Sequence, residues 1–344
     1  MIIDVAYVDP GPHGYSPYLH LAQLASEAFG GKCLRIPAER PSRLEKFGAL
    51  WPQKRGNRAC LFIAHAPGAL KAFAAIPRWR AEYRYLCAWV FDSFWVDHVS
   101  RFVRYAQPFD HVYVTEAEDL EAWRQKFKVP VDWLPWGADV LRMGSTNAHR
   151  NVDACRIGRQ PPAWEDDSAT AAAFAARGLT FKGRPTGDYD PLKNQEIVAA
   201  HFSQSKFSLS FSNSVSPSVQ THPHRQYITA RWTDALACGV TVAGVPPQCR
   251  TIDELLWPEA LLKFESIDLD HGIERLREAV SQWTPARAQL NHVRALERLD
   301  WRLRLQKVAA NAGAPVPPAL AAGLSECKAR VAAYEAANPA ASHA

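Results

Sequence analysis

Short apolar runs, each closed by a polar or Gly/Pro-rich turn, recur along the first 135 residues and constrain the fold more than any other feature. They occupy residues 2–8, 33–36, 59–64, 85–91, 111–115 and 131–134. Such runs are typical of strands that are buried on both faces of a sheet. Helical patterns lie between some of them, at residues 19–28 and 117–127. The alternation predicts a doubly wound parallel α/β sheet.

A second set of the same kind follows a polar segment at residues 140–153, which we interpret as a linker. Strands are predicted at 153–158, 179–181, 207–211 and 240–243. Helices are predicted at 169–177, 194–203, 230–238, 252–256, 273–282, 290–309 and 319–336. A chain of 344 residues fits two domains of roughly 150 residues each. We therefore expect domains at 1–140 and 141–318, and a C-terminal helix at 319–344 that packs back toward the first domain and ends in a frayed tail.

Composition excludes several classes of protein. A net charge of +5 is too small and too dispersed to favour nucleic acid as a partner. Seven cysteines without metal-ligand spacing favour a reduced, cytoplasmic chain. The N-terminus lacks a signal-peptide pattern, and no apolar run is long enough to span a membrane. A basic and aromatic segment suggests peripheral membrane contact on the cytoplasmic face, although a solvated surface helix is the simpler interpretation; it contains Arg78, Trp79, Arg80 and Arg84.

Residues 206–246 carry the clearest binding pattern. A short apolar strand leads into a loop rich in Ser, Pro and His, and a helix starts near residue 230. Free N–H groups and the helix dipole make such a helix N-terminus favourable for an anion. His222, His224, Arg225 and Arg231 supply further donors there. The stretch therefore predicts a phosphate site.

Ligands of open α/β sheets bind beyond the carboxyl ends of the strands. The polar residues and glycine that follow the predicted strands of the first domain are the positions to examine. They are Asp9, His13, Gly14, His65, Asp92, Thr115 and Asp139.

Three segments in order resemble a known family. They are FDHVYVTEAEDLEAWRQKFKVPVDWLPWGAD, then CRIGRQ with FKGRP, then TARWTDALACGVTVAG. Together they resemble glycosyltransferases of the GT-B type, and most closely the spore-protein-like group related to family 4. The resemblance implies two Rossmann-like doubly wound domains facing across a cleft. The first would bind the acceptor and the second the nucleotide-sugar donor.

The resemblance also implies residue roles. Asp234 takes the place of the family 4 glutamate that holds the nucleotide ribose. Gln226, eight residues earlier, takes the place of the glutamate that contacts the donor sugar, so the pair of acidic residues is not intact. The other donor-binding candidates are cations and helix-start residues: Arg159, Lys182, Arg184, His224, Arg225, Tyr227, Thr229 and Arg231. For Thr229, plain capping of the helix is the alternative.

The family resemblance implies a metal-independent reaction on a UDP- or GDP-linked sugar. Asp188 and Asp190 form a D-x-D pattern, but we interpret them as turn residues. An inverting enzyme needs a general base, for which Asp92 is the first candidate and His13 the second. Phe94 and Trp95 could stack on an acceptor sugar. A retaining enzyme would need no such base, and the sequence leaves the stereochemistry open.

The sequence thus predicts a glycosyltransferase of polysaccharide biosynthesis. It would move a sugar from a nucleotide sugar to a glycan, a lipid-linked acceptor or another hydroxyl. Two alternatives stay open. One is an epimerase-type enzyme that acts on nucleotide sugars with the same fold. The other is a non-catalytic relative that binds a nucleotide or a glycan.

Overall fold

A computed structural model of the chain describes residues 1–9, 15–36, 56–76, 78–101, 103 and 108–339. These residues divide between two compact units. The first comprises Met1–Trp136 with Arg302–Leu324, and the second comprises Gly137–Trp301 with Ser325–Ala344. No helix among the described residues combines the length and apolar character needed to cross a membrane.

In the described part of the first unit, six parallel strands form one sheet in the order β2-β1-β3-β4-β5-β6. The strands are β1 Ile3–Val8, β2 Cys33–Ile36, β3 Arg58–Ala64, β4 Tyr83–Val90, β5 His111–Val114 and β6 Val131–Trp133. The α-helices between them are Ser16–Phe29, Trp79–Glu82, Val96–Val99 and Leu120–Lys126, and the 3-10 helices are Pro67–Ala75 and Ala117–Asp119. Every predicted strand of this unit is therefore confirmed, with ends that shift by two residues or fewer.

In the described part of the second unit, five parallel strands follow the order β11-β10-β9-β7-β8. They are β7 Val152–Arg156, β8 Phe181–Lys182, β9 Ser205–Leu209, β10 Thr241–Gly244 and β11 Leu261–Lys263. The helices here are Val140–Met143, Pro162–Glu165, Asp167–Ala175, Pro191–Ser203, Ala230–Ala237, Arg250–Leu255, Leu269–Ser281 and Pro285–Arg298, with a 3-10 turn at Pro258–Ala260. The last helix, Pro318–Ala337, begins in the first unit and ends in the second, because the division falls between Leu324 and Ser325. β11 was not predicted from the sequence. The prediction of two doubly wound α/β units is confirmed.

The predicted long helix at 290–309 is wrong. The chain instead forms Pro285–Arg298 and Trp301–Asn311, and it breaks at Asp300. The Asp300 carboxylate accepts hydrogen bonds from the backbone N–H groups of Val140 and Leu141, at 3.1 and 3.4 Å, and Asp300 also forms a bridge with Ala138. Because Asp300 pairs with the N–H groups at the start of another helix, the helix that contains residue 300 is interrupted there.

The helix Trp301–Asn311 explains why the unit boundaries differ from the expected domains. The Arg304 guanidinium donates to the carbonyls of Pro135 and Trp136, and Asn311 donates to the Tyr113 hydroxyl. These contacts join the helix to the first unit, which includes Arg302–Leu324, whereas we expected residues 302–318 in the second domain.

Buried runs explain why the strands form where they do. From Ala59 to Ala64 each side chain of β3 is 1% exposed or less, as expected of a strand covered on both faces. Aromatic side chains fill both cores, with Phe62, Phe73 and Trp123 in the first and Trp164 and Phe211 in the second. The apolar patterns therefore report burial, and the polar residues that follow them mark the sheet edges.

Both sheets have the same doubly wound order, in which the second strand lies outside the first and the third lies on its other side. The order reverses between β1 and β3 in one sheet and between β7 and β9 in the other. Crevices at such switch points, beyond the carboxyl ends of the strands, are where open α/β sheets bind ligands.

Candidate functional site

The switch point of the second sheet holds the Arg231 side chain. Arg231 is the second residue of the helix Ala230–Ala237. Its guanidinium donates to the carbonyls of Arg159 and Phe211, at 3.0 and 3.2 Å, and these two residues lie just beyond β7 and β9. Its Nε atom is buried and has no hydrogen-bond partner in the described part of the chain.

Arg231 remains a cation at neutral pH. Burial, and then the nearby Arg159 charge, lower the pKa of its guanidinium to about 10. No carboxylate among the described residues forms an ion pair with it. A half-buried cation with a buried, unpaired N–H group and no counter-ion is unfavourable on its own, so this position favours an anionic ligand.

Gly158 brings the backbone after β7 close to the same guanidinium. It adopts a φ of 76°, a conformation that favours glycine, and a Cβ atom there would lie 3.5 Å from Arg231 Nη1. The backbone after β7 therefore turns at the switch point directly beside Arg231.

Arg159 holds the loop that follows β9. Its Nε donates to the carbonyl and hydroxyl of Ser216, and its Nη1 donates to the Ser218 hydroxyl at 2.8 Å. Its side chain therefore binds the loop, while its backbone carbonyl accepts a hydrogen bond from Arg231.

The middle of this loop turns around a buried imidazole. His222 Nδ1 accepts from the backbone N–H groups of His224 and Arg225, both at 3.1 Å. The Asn213 amide donates to the carbonyls of His222 and Arg225. The exposed His224 ring lies against His222, with ring centroids 6.3 Å apart. His222 thus shapes the loop, whereas the sequence analysis expected it to be a donor at the phosphate site.

The predicted cations Arg184 and Lys182 lie in different surroundings. Arg184 is exposed, and its Nη2 donates to the Gly158 carbonyl at 3.1 Å and to Glu165 at 3.0 Å. The Lys182 ammonium donates to Gln204, the residue ahead of β9. Arg184 therefore lies beside the Gly158 turn. Lys182 instead contacts the residue before β9, at the opposite end of that strand from the loop.

Gln226 links two loops. Its Oε1 accepts from the hydroxyls of Ser212 and Ser214, at 2.8 and 3.3 Å, and from the backbone N–H of Gln248 at 3.0 Å. The amide oxygen thus joins the segment after β9 to the segment after β10.

Two predicted residues lie just before the helix or at its start. Tyr227 is buried, and its phenol lies near the Arg231 charge. Thr229 occupies the N-cap position, but its side chain makes no capping hydrogen bond, so the alternative role as a plain side-chain cap is not observed. Its φ of −137° and ψ of 173° show that the backbone is extended before it enters the helix.

Asp234 follows Arg231 by three residues on the same helix. Its Oδ2 accepts from Gln195 Nε2 at 3.2 Å, and both side chains line a small cavity with Met143, Val198 and Cys238. Burial raises the pKa of Asp234 to about 7, the Gln195 hydrogen bond opposes that rise, and the Asp139 charge adds to it.

The interpretation of Asp188 and Asp190 as turn residues is confirmed. The Asp190 carboxylate caps the helix Pro191–Ser203 by accepting from the N–H groups of Leu192 and Lys193. Asp188 accepts from the Asp190 N–H at 2.8 Å.

In the first unit, Asp92 lies beyond the carboxyl end of β4. Its backbone N–H donates to the carbonyl of His65, which follows β3. Burial raises the pKa of the Asp92 carboxyl to about 7. The next helix, Val96–Val99, has Trp95 at its N-cap and no side-chain cap, so Asp92 does not cap it.

Two further side chains lie near Asp92. His65 and Tyr15 meet edge to face, with ring centroids 5.7 Å apart. Burial, then the Asp92 charge, raise the pKa of Tyr15 to about 12, and burial lowers the pKa of His65. Phe94 is 3% exposed, so it is not available to stack on a sugar. Trp95 stacks on the His98 ring. The second base candidate, His13, lies outside the described residues.

Sequence reasoning missed Gln195, and it did not nominate His65 or Tyr15 for a role. His65 follows a predicted strand, so its position gave a signal. Gln195 lies in a separate helix, 39 residues from Asp234, and no motif connects them.

No family model matches the chain, and no curated protein matches it. Among solved structures, it is similar to the pneumococcal O-GlcNAc transferase GtfA in complex with UDP and GlcNAc. That match has 12% identity, a TM-score of 0.46, and coverage of 78% of this chain and 59% of the other. The corresponding values for Staphylococcus aureus TarM, in complex with fondaparinux, alpha-GlcNAc-glycerol and UDP, are 9%, 0.45, 73% and 55%. A structure of accessory secretory proteins 1, 2 and 3 of Streptococcus pneumoniae gives 9%, 0.48, 83% and 57%.

The chain spans less than two thirds of the length of these proteins. The TM-scores lie below 0.5, so these similarities do not establish an activity.

Proposed function

We propose that the chain is a glycosyltransferase of the family 4-related GT-B type. It would move a sugar from a UDP- or GDP-linked donor to a hydroxyl of a glycan or a lipid-linked acceptor. The observation that carries the proposal is Arg231, a half-buried cation at the switch point of the second sheet whose buried Nε atom has no hydrogen-bond partner and which forms no ion pair with a carboxylate among the described residues. A diphosphate would supply the missing negative charge.

Sugar transfer leaves a nucleoside diphosphate, whose developing charge needs fixed donors. The Arg231 guanidinium, the backbone at Gly158 and the start of the helix Ala230–Ala237 meet at one point and would provide them. Arg184, which borders the same turn, would add a second cation. Because protein groups hold the charge, the reaction we propose needs no metal, in keeping with Asp188 and Asp190 serving as turn and capping residues.

Asp234 would hold the ribose of the nucleotide. An ionised carboxylate accepts hydrogen bonds only, and two neighbouring hydroxyls can donate to it. With a pKa of about 7, Asp234 would bind the ribose better above neutral pH than below it.

Asp92 would act in the first unit as the base for an acceptor hydroxyl if the reaction inverts the anomeric centre. A general base works best when its pKa lies near the operating pH, and the pKa of about 7 meets that condition. His13 is the second candidate for this role.

A non-catalytic relative that binds a nucleotide or a glycan is the second candidate function. Gln226 favours it, because its amide oxygen already accepts hydrogen bonds from three partners at the place where family 4 enzymes contact the donor sugar with a glutamate.

We also propose a cytoplasmic location. All seven cysteines lie in the described part of the chain and none of them forms a disulfide there, which suits a reducing compartment. A peripheral contact with a membrane through Arg78 and Arg84 remains a proposal. Trp79 would not insert there, because it is 4% exposed and lies under the Arg80 guanidinium.

Calorimetric titration with UDP, GDP and CMP tests the nucleotide-dependent proposals. We expect micromolar to millimolar binding of UDP or GDP, in the presence of a metal chelator. Folded protein that binds none of the three would rule out both the transferase and a nucleotide-binding relative. Binding without turnover of the matching nucleotide sugar, with or without an acceptor, would instead favour the non-catalytic candidate.

A further inference from the structure

We propose that Gln195 is a positioning residue for Asp234. Its side-chain amide would fix the carboxylate and keep it a hydrogen-bond acceptor for the ribose hydroxyls. The inference rests on the proposed function and adds a residue that no sequence motif assigns.

The geometry places the amide and the carboxylate on two different helices. Gln195 belongs to Pro191–Ser203 and Asp234 to Ala230–Ala237, and the Nε2–Oδ2 distance is 3.2 Å. Gln195 is 6% exposed, so the surrounding side chains restrict its rotamers. The amide therefore reaches Asp234 from the wall of the cavity that both side chains line.

Among the described groups that face Asp234, the Gln195 amide is the one that stabilises its ionised form. Asp139, from the segment before Val140–Met143, disfavours its ionised form. Cys238, from the end of its own helix, carries a thiol whose pKa burial raises, so it stays neutral at pH 7. The buried cation Arg150 donates to the Cys238 carbonyl at 2.7 Å. Among the described residues, no Lys or Arg forms an ion pair with Asp234.

A neutral donor suits a site that must bind hydroxyl groups. An Arg or Lys in this place would favour the carboxylate form more strongly, but it would also occupy acceptor positions that the ligand needs. An amide donates to one oxygen and adds no charge. Burial opposes ionisation and raises the pKa of Asp234 to about 7, while the Gln195 hydrogen bond lowers it. Removing that bond should therefore raise the pKa further.

The variant Gln195→Leu keeps an apolar side chain of similar size and removes the donor. UDP affinity, or GDP affinity if that is the nucleotide bound, is measured by calorimetry from pH 6 to pH 9. In the wild type we expect affinity to rise with pH, with a midpoint near 7. In the variant the midpoint should move up by on the order of one pH unit, so the affinity falls several-fold at pH 7 and recovers at pH 9. The control is Glu196→Gln, an exposed residue of the same helix, which should leave the midpoint in place.

A loss of affinity by the same factor at every pH, or an unmoved midpoint, would overturn the proposal. A second readout does not depend on the nucleotide: the carbon-13 resonance of the Asp234 carboxyl, assigned with Asp234→Asn, gives its pKa in the wild type and in Gln195→Leu. An equal pKa in both proteins refutes the role of Gln195 even if UDP and GDP fail to bind. A raised pKa without any nucleotide binding supports the effect of Gln195 on Asp234 and places the failure in the proposed function.

Discussion

Replacing Asp234 by Asn should stabilise the second unit at pH 8 much more than at pH 5. Burial raises the pKa of this carboxyl from its ordinary 3.8 to about 7. Between these two values the folded chain holds a proton that the unfolded chain releases. Stability contributed by this group is therefore fully present below pH 3.8 and is lost as the pH rises through 7. Asn is neutral throughout and retains an oxygen that can accept from Gln195.

The magnitude follows from the pH interval. Each unit of pKa corresponds to ~1.4 kcal/mol, so the two pH units from 5 to 7 set an upper limit of ~2.7 kcal/mol on the pH-dependent gain. Because the Asp234 side chain is only partly buried, solvent reduces this effect, and we expect roughly 1–2 kcal/mol.

Urea denaturation of the wild type and of Asp234→Asn at pH 5, 6, 7 and 8 measures the difference. The comparison isolates Asp234, because Asp92, whose pKa is also raised to about 7, titrates in both proteins. Asp253→Asn is the matched control, since Asp253 is exposed on the helix Arg250–Leu255 and should show no such trend. If the stability difference for Asp234→Asn is flat across this range, the carboxyl is not buried as described and the reasoning fails.

Two other variants test separate parts of the structure. Asp92→Asn should leave nucleotide affinity unchanged and lower turnover by at least tenfold; full activity in a transfer assay would remove Asp92 as the base. Arg150→Met should lower the free energy of unfolding by about 3–5 kcal/mol, because the buried guanidinium donates to the carbonyls of Ser205, Cys238 and Asn147 at 2.6, 2.7 and 3.0 Å. An unchanged urea midpoint would contradict that structural role.

The sequence predicted the central strands such as β1 and β3 well because other elements cover them. An apolar run such as residues 59–64 has one stable environment, the middle of a sheet, and the structure places it there. The turn at Asp188 and Asp190 was also predicted, but the role of Asp190 as the helix cap was not, although its carboxylate accepts from N–H groups only two and three residues away.

Contacts between distant segments were not predictable in this way. Asp300 breaks a helix because it binds the backbone of Val140 and Leu141, about 160 residues earlier, and nothing near residue 300 signals that partner. The Thr229 side chain leaves its cap unmade although its position in the sequence is suitable. Local sequence patterns predict hydrogen bonds between nearby residues, whereas hydrogen bonds between distant segments depend on the fold.

The candidate site shows the same limit. Arg231 was predicted from its place at a helix start, but its carbonyl partners at Arg159 and Phe211 come from two other segments. Gln195 became visible only when two helices were placed side by side. The sequence therefore indicated which residues are chemically suitable, and the fold selected among them.

The central claim is that Arg231 marks a diphosphate site, and one calorimetric comparison tests it most directly. UDP and UMP, or GDP and GMP if guanine is the base bound, are titrated into the wild type and into Arg231→Gln in the presence of a metal chelator. We predict that the wild type binds the diphosphate at least tenfold more tightly than the monophosphate, a difference of ~1.4 kcal/mol. Arg231→Gln should abolish most of that preference, while the exposed control Arg287→Gln should keep it. Equal affinity for both nucleotides in the wild type, or a preference that survives in Arg231→Gln, would contradict the account.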